Sequence, residues 1–86
     1  SAKSVVRITP GTRVFTGEHV TLRCDIQGRG GIQWIYSWNK NKISMRGRGD
    51  QEVTLSSVTQ SDSGDYTCRG QSFYSQISDA VTLTVS

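Results

Sequence analysis

The sequence predicts an all-β protein: an antiparallel sandwich of about seven strands with one disulfide between its two sheets. Three observations point there. Apolar and polar residues alternate with a period of two along most of the chain, and turn-forming residues interrupt that alternation at short intervals. Two cysteines, Cys24 and Cys68, lie 44 positions apart, one on an early strand and one on a late strand, both on the buried face. No run of apolar residues at a spacing of 3.6 is long enough for a helix.

The strands follow in order. Val5 to Thr9 is a weak first run. Val20, Leu22, Cys24 and Ile26 alternate with Thr21, Arg23 and Asp25, which gives a strand with one dry and one wet face. Trp34, Tyr36 and Trp38 share a face of the next strand. Lys42 to Met45 is short, Val53 and Leu55 repeat the alternation, Tyr66 and Cys68 alternate with Thr67 and Arg69, and Val81, Leu83 and Val85 close the series. Pro10-Gly11, Gly17, Gly28 to Gly31, Asn39 to Asn41, Gly47 to Asp50 and Ser61 to Gly64 mark the turns between them.

Length and charge exclude several functions. A chain of 86 residues is one domain, residues 1–86, with no room for a second core or a large catalytic cleft. No apolar run approaches the roughly 18 residues that a membrane-spanning helix needs, so no direct membrane insertion of this segment is expected. Ten Lys+Arg against seven Asp+Glu give a net charge of +3, too little on its own to argue for nucleic acid. The two cysteines belong to no CxxC or Cys/His cluster, so no metal and no thioredoxin-type chemistry is expected. They are read as a disulfide, and with it an extracellular or secretory setting; two separate buried thiols in a reducing compartment are the alternative. The one histidine, His19, points outward at the start of a strand and lacks a nucleophile and an orienting carboxylate. With both cysteines committed and the carboxylates scattered, neither an enzyme nor a cofactor is expected.

Cys24, Trp38, Leu55 and the run Asp62-Ser63-Gly64-Asp65-Tyr66-Thr67-Cys68 resemble an immunoglobulin domain from its B strand to its F strand. Tyr66, two residues before the second cysteine, matches the tyrosine-corner position, whose hydroxyl bonds to backbone upstream. Trp38 is assigned to the core against the Cys24–Cys68 bridge, together with Leu55 and Tyr66. Only 13 residues, Lys40 to Glu52, separate the C and E strands, too few for the additional strand pair of a variable domain, so a C2/I-type domain is expected. Thr16 to Cys24, Asp62 to Gly70 and Ser78 to Val85 further resemble Fc-receptor and Fc-receptor-like ectodomains, in particular the leukocyte immune-type receptors of teleosts with their paired strand-C aromatics. That resemblance implies one module of a longer cell-surface receptor or of its secreted form. It implies a protein ligand, either immunoglobulin Fc or an MHC class I-like protein, bound at the end of the sandwich where the BC, C′E and FG loops gather.

In this chain those loops are read as Gln27 to Ile32, Arg46 to Gln51 and Gln71 to Ile77. Arg29, Arg46, Arg48, Phe73 and Tyr74 are the ligand-binding candidates, because arginines and aromatics on glycine-rich loops suit an interaction tip. Trp34, at the top of strand C, is a sixth candidate, with capping of the core as its other role. Arg48-Gly49-Asp50 spells the tripeptide that integrins recognise, but it arises easily in a glycine-rich loop and no integrin partner is expected from it. The competing reading is a structural or adhesion domain that makes its contacts along an exposed sheet face, such as Ile35 or Arg69.

Overall fold

In a computed structural model the described residues are 4–26, 33–71 and 75–86, with backbone alone for 75 and 76. They form nine strands: β1 (Ser4–Thr9), β2 (Arg13–Val14), β3 (Val20–Ile26), β4 (Ile35–Lys40), β5 (Ile43–Ser44), β6 (Glu52–Leu55), β7 (Gly64–Gln71), β8 (Ser75–Ile77) and β9 (Val81–Val85). One turn of 3-10 helix, Gln60–Asp62, precedes β7. The smaller sheet runs β1-β3-β6; the larger runs β2-β9-β7-β4-β5, with β8 also paired to β7.

Alternation puts Val6, Val20, Leu22, Cys24 and Val53 of the smaller sheet against Trp38, Tyr66, Cys68, Leu83 and Val85 of the larger, all buried. Burying an aliphatic side chain of this size stabilises by about 1.5–3 kcal/mol relative to exposing it. The Cys24–Cys68 disulfide crosses this core with its Cα atoms 5.9 Å apart. Trp38 is packed beside it at 1% exposure. Leu55 is half-buried and packs against the core from its rim. The Tyr66 hydroxyl donates to the Asp62 carbonyl at 2.5 Å, which makes the tyrosine corner. Burial, with Asp62 close by, pushes the Tyr66 phenol up to about 12.

Two strands were not foreseen, and each has a local cause. After the cis peptide Thr9–Pro10 the chain leaves the smaller sheet, and β2 pairs parallel with β9 through only two residues, too few to show a period. The last strand is split. Tyr66 faces Val81, yet Arg69 faces Ile77, so the β8–β9 side carries one extra residue across Ser78 to Ala80, a β-bulge. Ser78 fills the gap from inside: its backbone N–H donates to the Cys68 carbonyl at 2.9 Å and its hydroxyl accepts the Cys68 N–H at 2.9 Å. The FG loop is therefore shorter than Gln71 to Ile77, because Gln71 ends β7 and Ser75–Ile77 is strand.

Gly70 shows why the upper core needs a glycine. It is buried on the inner face of β7, and a Cβ there would lie 1.9 Å from Cδ1 of Ile26 and 3.4 Å from the Trp34 ring.

Candidate functional site

The segment between β5 and β6 carries two of the arginine candidates, and hydrogen bonds anchor it on both sides. Asn41 and Lys42, both at positive φ (51° and 68°), form the two-residue turn that returns the chain from β4 to β5. Asn41 is held there by two bonds: its N–H donates to the Asp65 carbonyl at 2.8 Å, and its side-chain oxygen accepts the Asp65 N–H at 2.9 Å. Met45 is half-buried and its N–H donates to the Trp38 carbonyl at 2.9 Å. At the far end the indole N–H of Trp38 donates to the Asp50 carbonyl at 2.8 Å. The Cys24 N–H donates to the Gln51 carbonyl at 2.9 Å, while the Gln51 amide donates to the Cys24 carbonyl at 3.1 Å. Between these anchors Arg46-Gly47-Arg48-Gly49 arches into solvent, turning at Gly47 (φ 77°). Both arginines are exposed, and neither is ion-paired among the described residues.

The outer face of the smaller sheet treats its arginines differently. Arg7 and Arg23 face each other across β1 and β3, and Arg23 faces Glu52 across β3 and β6. Asp25 accepts from Arg7 Nε and, at 2.7 Å, from Arg23 Nε; Arg23 also donates to Glu52 at 2.8 Å. The Arg23 hydrogen bond is the main reason the Asp25 carboxyl is held below its ordinary value, opposed by partial burial. Two cations and two carboxylates close into one network, which the sequence reading did not anticipate. Its members are 2 to 45 positions apart in the chain, and only the strand register brings them together.

The remaining candidates are placed as follows. Trp34 is half-buried just before β4, beside Gly70. Arg29, Phe73 and Tyr74 lie outside the described residues. Arg48, Gly49 and Asp50 are exposed, with the Asp50 carbonyl engaged by Trp38. His19 is exposed, and among the described residues no group of acidic, cysteine or histidine side chains is arranged to hold a metal ion. Nor is any helix among them long and apolar enough to cross a membrane.

A family model described as an immunoglobulin domain matches residues 3–85. The chain is an immunoglobulin domain. Its relatives include the alpha subunit of the mouse high affinity immunoglobulin epsilon receptor, 31% identical over 77 residues, a match covering 84% of this chain and 29% of that subunit. Among solved structures, the N-terminal four immunoglobulin domains of Dscam1 isoform 7.44 superpose with a TM-score of 0.79 at 21% identity, covering 99% of this chain and 21% of that one. The ectodomain of mouse nectin-like molecule 4 gives 0.73 at 21% identity, covering 99% and 30%. At that identity the likeness to the two structures is one of fold. This immunoglobulin domain thus spans less than a third of the length of each of these proteins.

Proposed function

We propose that this immunoglobulin domain is an extracellular ligand-binding module of a leukocyte immune receptor of the Fc-receptor-like kind. In this reading the module belongs to a longer cell-surface receptor or to its secreted form. It takes a protein ligand, immunoglobulin Fc or an MHC class I-like protein, through the loop end bearing Arg29, Trp34, Arg46, Arg48, Phe73 and Tyr74. The observation that carries the reading is the 31% identity to a subunit named as a receptor for immunoglobulin epsilon. The disulfide supports the extracellular setting. The solvent-facing arch of Arg46 and Arg48, held at its far end by the Trp38 indole and by Gln51 on the Cys24 backbone, suits a contact surface whose residues bind without carrying the fold.

An adhesion or spacer domain is the second reading, and Ile35 favours it: the residue stands 75% exposed on the outer face of the larger sheet. Ile77 of β8, in register with Arg69, is also exposed. Surface-binding measurements on the domain, alone and with its natural neighbour, against purified immunoglobulin and MHC class I separate the two readings. The expected result is saturable binding that the R46A/R48A/F73A/Y74A variant loses at an unchanged melting temperature. Absence of binding by both forms, or loss through I35A with the loop variant unaffected, overturns the receptor reading.

A further inference from the structure

We infer that the open edge of β5 is a docking strand for an extended, acidic segment of a protein partner. The inference rests on the reading that this domain binds a protein, and it names that protein's chemistry on one side of the site. β5 ends the order of the larger sheet and, among the described residues, pairs with β4 alone. Because the Met45 N–H turns inward to the Trp38 carbonyl, strand alternation turns the N–H and C=O of Ser44 outward, away from β4. Beyond β5 the chain runs on near β4, where a Cβ on Gly49 would meet the Tyr36 carbonyl at 3.8 Å. With only two residues in β5, the open edge is short.

Charge selects the occupant. Lys42, Arg46 and Arg48 are all exposed around this edge, and none is ion-paired among the described residues; Asp50 is the one carboxylate between positions 42 and 50. Lysines on an edge ordinarily keep it from pairing with a copy of itself. Here a second copy added through β5 would set three cations against three, whereas an acidic strand would meet complementary charge along the same edge. Ile43, 72% exposed in the middle of this cationic stretch, adds an apolar contact that a purely ionic ligand would leave unused. A strand that alternates acidic and apolar residues matches both features: main-chain bonds to Ser44, apolar contact with Ile43, and carboxylates toward the three cations.

The probe is a fluorescein-labelled octapeptide of alternating Glu and Val, read by fluorescence anisotropy with the folded domain at low salt. Saturable binding is expected, and none by the Lys/Val counterpart. The K42E/R46E/R48E variant should weaken it by about tenfold or more. S44P, which removes an outward donor and no bond to β4, should weaken it by about two- to tenfold at an unchanged melting temperature. If S44P does not fold, N-methylation of the peptide's central residues replaces it and should give the same loss. No binding of the Glu/Val peptide overturns the inference. So does binding that S44P or N-methylation leaves intact, or heparin octasaccharide bound with S44P without effect, either of which reduces the edge to a polyanion surface. A domain dimer that S44P dissolves overturns it as well. If immunoglobulin or MHC class I binds and the peptide does not, this inference alone fails; if the peptide binds and neither protein does, the receptor reading alone fails.

Discussion

Two regions of this immunoglobulin domain hold arginines in opposite ways. On the outer face of β1, β3 and β6, Arg7 and Arg23 are satisfied by Asp25 and Glu52, so the face offers little net charge. Around β5, Lys42, Arg46 and Arg48 find no ion-pair partner among the described residues, and the arch of Arg46 and Arg48 is tied down at its far end by the Trp38 indole and the Gln51 amide rather than by the arginines themselves. Cations on the sheet face are neutralised by carboxylates that the strand register sets beside them, and cations around β5 are left facing solvent. The modest total charge of +3 hides this division.

Both regions hang on one frame, so the largest expected effect removes the difference between them. The C24A/C68A variant should lose about 4 kcal/mol on the chain-entropy view of a loop this long. The Arg46–Arg48 arch should lose protection along with β3, because Gln51 is bonded to Cys24. Denaturant unfolding and hydrogen exchange measure both. Next, Trp38→Phe should cost about 1–3 kcal/mol in lost volume. By deleting the indole bond to the Asp50 carbonyl it should also speed exchange in the arch more than in β1, which isolates the cationic region from the neutral one.

Smaller effects sharpen the contrast. Arg23→Ala should destabilise the fold measurably at low salt and less at high salt, because its pairs are exposed. R46A/R48A should change stability by no more than about 0.5 kcal/mol at any salt concentration, since neither side chain has an ion pair among the described residues to lose. Equal costs at the two places would contradict the division. The smallest effect is one of pH. The folded-state carboxyl of Asp25 lies below its unfolded value, so its contribution is complete above the unfolded value near 3.8 and is lost as pH falls through the lower folded value. Asp25→Asn should flatten stability against pH in that acid range, whereas R46A/R48A should leave the slope unchanged.

The fold was legible because its strongest signals are local. Val20, Leu22 and Cys24 alternate without interruption, as do Val81, Leu83 and Val85, and Tyr66 stands two residues before Cys68. β2 escaped because two residues show no period, and β8 because its three residues are too few to show one and the bulge at Ser78 to Ala80 sets them apart from Val81. The expected exposure of Arg46 and Arg48 followed from glycines flanking them, and the anchors of their arch did not, since a bond from Trp38 to Asp50 depends on three-dimensional approach. The network of Arg7, Asp25, Arg23 and Glu52 was hidden for the same reason: like-charged and unlike-charged neighbours across strands become visible only once the register is known.

The bulge at Ser78 separates two jobs that a plain hairpin would combine. In an uninterrupted pair of strands the length of the connecting loop sets the register, and a one-residue change turns every inward side chain outward. Here Ser78 takes both backbone groups of Cys68, next to the disulfide, and so fixes the phase of Val81, Leu83 and Val85 from below the loop. Residues between Gln71 and Ser75 can gain or lose members while the core beneath keeps its alignment. An immunoglobulin domain built this way can vary its sequence at that end without refolding what supports it.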